Sequence, residues 1–237
     1  MTLAAAGRWL LIGNSRWHWA ERLADGRLHG WDGEPASEPK APLAWAAVGP
    51  PPDPELCPPE RRVELADVPL MNCPPWLGVD RALAGWGAWR ELGESVLVVD
   101  AGTVLSLTRV DDQGRFRGGR LLAGVRLQLE AMTAHTTLIP QILNQQEQGA
   151  TREGDGNDPG DWPTATAEAM EVGVLRGLAA AVREAAGEAQ CRSVVLTGGD
   201  GTLLLQWVLQ PLQQQGLAVA FRPLLCLESL ACLRPPP

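Results

Sequence analysis

The sequence predicts an α/β protein of two similar lobes with a cleft between them. Two observations carry this. An apolar strand runs into a tight Gly-containing turn and on into a second apolar strand twice, and segments with helical spacing follow in each half. The first copy is Trp9 to Ile12, the turn Gly13-Asn14-Ser15, then Arg16 to Trp19; the second is Val98-Val99-Asp100-Ala101-Gly102-Thr103, then Val104 to Leu107. Glycine lets backbone N–H groups come close to an anion, and the small polar residue after it adds a hydrogen-bonding side chain. Two such turns together can hold a nucleotide's phosphates, which points to a nucleotide-using enzyme.

In chain order, residues 8 to 31 read as a β-meander: a strand to Ile12, a second over Arg16 to Glu21, a turn at Ala24-Asp25-Gly26 and a third over Arg27 to Trp31. Ala44 to Val48 suits a buried strand. Pro50-Pro51-Pro52-Asp53-Pro54 must be a loop, because proline fixes φ and lacks a donor. Arg61 to Leu65 is expected as another short strand. A helix follows from Arg81 to Leu92 with Gly93 as its stop. The second half repeats the scheme with strands over Ser95 to Val99, Val104 to Val110 and Phe116 to Leu122, the last two joined at Asp111-Asp112-Gln113-Gly114. Gly118, Gly119 and Gly124 mark close backbone approaches ahead of a helix from Arg126 to Thr136. Asn144 to Pro163 is expected as an exposed loop, Thr164 to Ala186 as a helix and Ser193 to Leu196 as a buried strand. A helix to Gln214, a strand from Leu217 to Phe221 and a short helix from Leu224 to Leu233 finish the chain. These divisions place one lobe at residues 1–93 and the other at 94–237.

With 237 residues, 45% of them hydrophobic, the chain can fill its cores without covalent staples. Five cysteines, an odd number without a Cys-x-x-Cys pair, argue against a disulfide framework and against zinc. No basic leader or long apolar run is present, so a cytoplasmic protein that does not cross a membrane is expected. A net charge of −8 speaks against a nucleic-acid partner. The single lysine, Lys40, lies among prolines, which rules out the Gly-Lys-Ser/Thr of a P-loop. Ten tryptophans, against no tyrosine and two phenylalanines, are read as core and interface packing. His18, His29 and His135 lack ligand-like spacing and are read as structural.

Asp100 ends an apolar strand, so its carboxylate should project towards the cleft. There it could hold a cation beside triphosphate oxygens while Thr103 donates to a phosphate. The alternative is an Asx-type turn that only closes a hairpin. Leu196-Thr197-Gly198-Gly199-Asp200-Gly201 supplies a third turn, whose glycine pair would let backbone approach an adenosine. Gly78-Val79-Asp80-Arg81 sets an acid beside a guanidinium at a helix start. This suits proton removal from a substrate hydroxyl and recognition of a carboxylate, or equally an N-cap aspartate with a solvated arginine.

Taken in order, Gly13-Asn14-Ser15, Leu77 to Arg81, Asp100 to Thr103, Gly118-Gly119, Thr136 to Pro140, Thr166 to Ala169 and Leu196 to Gly199 make the chain resemble the type III pantothenate kinases of the actin-like ATPase and sugar-kinase superfamily. The resemblance implies two ribonuclease-H-like lobes with mixed five-stranded sheets flanked by helices. It implies ATP-dependent phosphorylation of pantothenate, the committing step towards coenzyme A. Asp80 would be the general base, Gly78, Val79, Asp80 and Arg81 would bind pantothenate, and Thr166 would add a contact to it. Gly13, Asn14, Ser15 and Arg16 would hold phosphates, Thr103 would contact ATP, and Gly198 and Gly199 would approach the adenosine. Asp100 would bind a monovalent cation, potassium or ammonium, with magnesium accompanying the nucleotide. A homodimer is implied, with the pantothenate site near its interface.

The sequence departs from the family pattern where an aspartate normally stands two residues before the first glycine; here that residue is Leu11, which cannot coordinate a hard cation. A basic residue that often follows in the family is His18 here, although Arg16 could supply charge from the same loop. The family's pantothenate-contacting tyrosine is absent, with Trp76 as a possible substitute. These departures motivate a second function class, a catalytically weak nucleotide- or pantothenate-binding regulatory relative.

Overall fold

The computed structural model describes residues 7–33, 41–49, 54–134 and 162–236. The first sheet holds β1 (Arg8–Ile12), β2 (Trp17–Arg22), β3 (Leu28–Asp32) and β4 (Ala44–Ala47) in the order β3-β2-β1-β4. Helix α1 (Val79–Leu92) leads to β5 (Val96–Ala101), β6 (Val104–Val110) and β7 (Phe116–Ala123). Then come α2 (Val125–Ala134), α3 (Thr166–Ala189), β8 (Ser193–Thr197), α4 (Gly201–Gln214), β9 (Ala218–Phe221) and α5 (Leu225–Leu233). The second sheet runs β7-β6-β5-β8-β9. In both sheets an antiparallel meander of three strands pairs its first strand, β1 or β5, in parallel with a later one, β4 or β8. The duplication expected from the repeated turns is therefore a duplication of topology.

One expected strand does not form. Residues 61–65 hold only a parallel bridge between Trp45 and Arg62, flanked by 3-10 turns at Pro59–Arg61 and Leu65–Asp67. Val63 N–H still donates to the Trp45 carbonyl at 2.7 Å. The 3-10 turns curl the backbone away on either side, so the fifth position of the first sheet shrinks to this contact, and that sheet has four strands among the described residues. The stretch from 135 to 161, which includes His135, the end of the second expected helix and most of the expected loop, lies outside the described residues.

Strand alternation sorts the side chains into layers. Trp9 and Leu11 of β1, with Val96 and Val98 of β5, face a core that contains α1 and α5 between the two sheets. Leu97, Val99 and Ala101 face the opposite core, against α3 and α4. Leu10, Ile12, Trp19, Trp45 and Ala47 fill the outer face of the first sheet. There Trp19 Nε1 donates to the Gly33 carbonyl at 3.1 Å and Trp45 Nε1 to the Pro58 carbonyl at 2.8 Å. Trp31 stacks on Trp19, so tryptophans do much of the covering.

Helix α1 stops where expected: Gly93 adopts φ 67° and its N–H donates to the Trp89 carbonyl at 2.8 Å. Helix α5, last in the chain, crosses back onto α1. A Cβ at Gly87 would collide with the Ser229 hydroxyl, so glycine is what allows the two helices to close up. Trp9 Nε1 donates to the Arg234 carbonyl at 2.9 Å, tying the C-terminal end of the chain to the first strand.

Candidate functional site

The two repeated turns meet. Ser15 Oγ and Thr103 Oγ1 are hydrogen-bonded at 2.6 Å. Gly13 N–H closes the first turn on the Arg16 carbonyl at 2.9 Å, and Gly124 N–H supports the second by donating to the Thr103 carbonyl at 2.9 Å. A side chain at Gly124 would stand 2.7 Å from that carbonyl, which explains the glycine. The third turn joins them, because Asp200 N–H donates to the Ala101 carbonyl at 2.9 Å. Gly198 takes φ 87°, and a Cβ there would lie 2.6 Å from the same carbonyl and 2.5 Å from Asp100 Oδ1. Gly199 faces open space. Burial raises the Asp200 carboxyl, while the charge of Arg16 from the first turn pulls the other way. Turns from three distant parts of the chain thus converge beyond the end of β5.

Asp100 lies within β5, in register with Ser106 and Thr197, ahead of the hairpin turn. Asp80 occupies the second position of α1. Gly78 is the N-cap, so Asp80 does not cap the helix; its Oδ1 instead accepts from the backbone N–H of Arg81 at 2.8 Å. Burial pushes the Asp80 carboxyl above the usual carboxylate range. Asp100 is pushed up to about 6, first by burial and then by the negative charge of Asp80. The two acids, on different elements, therefore share one desolvated region.

Arg81 is not a solvated arginine. Its Nε donates to Thr108 Oγ1 at 3.1 Å, and its guanidinium lies over the Phe116 ring at 5.8 Å. Burial lowers its pKa from the usual arginine value. A Cβ at Gly119 would strike both this guanidinium and the Leu107 carbonyl, which accounts for the second glycine of the Gly118-Gly119 pair. Gly119→Ala is accordingly expected to destabilise the fold by about 1–3 kcal/mol through overpacking and to loosen Arg81. Thermal unfolding checks this, and an unchanged Tm would contradict it.

Between β4 and the start of α1 lies a cavity of about 250 Å³, with Val48, Arg62, Glu64, Leu77, Gly78 and Val79 among its lining. Arg62 and Glu64 were not flagged by motif, and only their distance in sequence from Gly78 hid them. Trp76, just before this lining, is 83% exposed. Thr166 is the exposed first residue of α3, a helix packed on the face of the second sheet opposite α1. Among the described residues no hydrogen bond joins it to Asp80.

The sequence profile of type III pantothenate kinases matches residues 65–188, which include Gly78 to Arg81, Asp100 to Thr103 and Thr166. The chain is 35% identical over 221 residues to the type III pantothenate kinase of Synechococcus elongatus, covering 82% of this chain and 85% of that one. The chain belongs to the type III pantothenate kinase family. A second member, from Thermosynechococcus vestitus, is 35% identical over 203 residues, covering 81% of this chain and 76% of its own. Two solved structures share the fold at low identity. One is a putative 2-dehydro-3-deoxygalactonokinase from Sinorhizobium meliloti, with TM-score 0.54, 16% identity and coverage of 96% of this chain and 97% of that one. The other is the activator of 2-hydroxyisocaproyl-CoA dehydratase from Clostridium difficile with bound ADPNP, with TM-score 0.52, 11% identity and coverage of 96% and 93%. The expected class of two α/β lobes is borne out. Leu11, where the family resemblance calls for an aspartate, lies in β1 ahead of the profile match and is buried in the apolar core between the sheets.

Proposed function

We propose that the protein transfers the γ-phosphoryl group of ATP to the hydroxyl of pantothenate, the first step of coenzyme A biosynthesis. The observation that carries this is the convergence of Asp80 with Asp100 beside the joined turns of Ser15 and Thr103. Phosphoryl transfer requires positioning and charge neutralisation more than covalent help from the protein. Asp80 takes the hydroxyl proton as the oxygen attacks phosphorus; the bond from phosphorus to the bridging oxygen breaks and ADP leaves. The turns at Gly13 to Arg16 and at Thr103 supply donors for the phosphates, and Gly199, held by the packed Gly198, offers open backbone to the adenosine. The cavity beside Gly78 suits the mixed apolar and polar chain of pantothenate, with Trp76 at its approach.

Asp100 fits a monovalent cation. Glycines at 102 and 198 add no side chain beside its carboxylate, and burial beside a second acid calls for positive charge. Potassium or ammonium there would balance one of the two carboxylate charges, and magnesium would arrive with the triphosphate. Thr166 lies across the second sheet from Asp80, so a role in pantothenate binding calls for a second copy of the chain, in keeping with a homodimer. No described helix is long and apolar enough to cross a membrane, and five free thiols accord with a cytoplasmic setting.

The purified protein is expected to form phosphopantothenate and ADP from pantothenate and ATP, faster with potassium or ammonium than with sodium, and to run as a dimer in light scattering. Leu11 favours one competing reading, a regulatory relative that binds without turnover. Nucleotide binding with no product under any of these cations would select that reading.

A further inference from the structure

We infer that Asp32 organises a basic pair, His18 and Arg16, that grips the terminal phosphates of the nucleotide from the first lobe. The register of the first sheet sets Ala46, Leu11, His18 and Asp32 in one row across four strands. Leu11 and Ala46 face the core between the sheets, and paired residues share a face, so His18 and Asp32 continue that row to its exposed edge. Asp32 Oδ1 accepts from His18 Nδ1 at 2.7 Å, and Oδ2 accepts from Arg16 Nη1 at 3.4 Å. A carboxylate on Nδ1 fixes the ring and leaves Nε2 for another partner. Nε2 points at the phosphate turn, lying 3.6 Å from where a Cβ of Gly13 would stand.

The charge of the other member is felt at the third turn. Arg16 acts electrostatically on Asp200 of the third turn, and its neighbour Ser15 bonds Thr103 of the second. One carboxylate thus orients an imidazole and a guanidinium beside the turns. The side chains of His18, Arg16 and Asp32 are 37%, 61% and 49% exposed, so a bound polyanion can reach them. Leu11 offers nothing to phosphate or its metal. The polar function of this row lies one and two strands further out, at His18 and Asp32.

The inference rests on the proposed ATP-dependent activity, and kinetics on the full chain tests it. His18→Gln is expected to raise the KM for ATP about 10-fold, the scale of one charge-assisted hydrogen bond, with the KM for pantothenate and the Tm unchanged. His18→Lys should recover most of the loss, and Asp32→Asn should raise the KM for ATP without lowering Tm. A KM for ATP unchanged in both His18→Gln and Asp32→Asn would overturn the inference, as would His18→Lys performing no better than His18→Gln. Calorimetric titration with MgADP separates this from failure of the kinase reading. Weaker MgADP binding in His18→Gln, with no pantothenate turnover by wild type, would uphold the clamp and reject the kinase.

Discussion

Asp80→Asn is expected to lower kcat by about 100- to 10,000-fold, the usual contribution of a positioned general base. Asparagine keeps the shape, and its side-chain oxygen can still accept the Arg81 N–H, so the first turn of α1 should survive. What is lost is the group that takes the hydroxyl proton. The KM for pantothenate should change much less than kcat, because the cavity beside Gly78 is untouched. Wild-type kcat/KM should fall on acidification as Asp80 gains its proton. Burial has raised that carboxyl, so the fall begins at higher pH than for an exposed aspartate. Undiminished turnover by Asp80→Asn in a coupled ADP-release assay would remove Asp80 from the mechanism.

The second large effect has opposite signs for stability and activity. Asp100 titrates at about 6 in the folded chain, against an ordinary value of 3.8. Between these two values the unfolded chain has released its proton while the folded chain still holds it. Stability therefore falls as pH rises through that window, and the full penalty is present at pH 7. The difference corresponds to an upper bound of about 3 kcal/mol. Asp100→Asn removes the penalty and is expected to raise the Tm of the cation-free protein by about 5 °C at pH 7, with little change at pH 4. The same substitution should abolish the response to potassium and depress turnover, because the charge that destabilises the fold is the charge that would hold a cation. Calorimetric melts at both pH values and a potassium titration check this. A lower Tm at pH 7, or an intact potassium response, would contradict it.

Most of the fold could be read from short stretches, because what specifies it is local. The meander of the first lobe, the hairpin around Gly102 and the stop at Gly93 all follow from alternation, turn chemistry and glycine conformation within a few residues. The exception at 61–65 is instructive. The apolar spacing there is compatible with a strand, yet 3-10 turns at Pro59–Arg61 and Leu65–Asp67 close in on both sides and leave one bridge to β4. Arg81 shows a different limit. Its motif suggested a group free to meet substrate, and only the packing of Gly119 and Phe116 from a distant strand reveals that the protein itself holds the guanidinium.

The histidines mark the same boundary. His18 has no ligand spacing in the sequence, and its partner Asp32 stands in a different strand. The register that aligns Leu11, His18 and Asp32 was available in principle from the meander, since pairing one residue in each hairpin determines the rest. What it could not supply was the sheet face on which the row falls relative to the cleft.

By itself the amino-acid order determined the succession of most strands and helices, which turns carry glycine beside a small polar residue, and which family's motifs recur in which sequence. Those features depend on neighbours a few positions away, where backbone sterics and hydrophobic period decide. Only the tertiary structure decided that Asp80 and Asp100 share one desolvated region, that the last helix closes onto the first, and that Asp32 faces the phosphate turn. Each of these depends on layers stacking across long separations, and so on the burial of apolar faces whose partners no local pattern names.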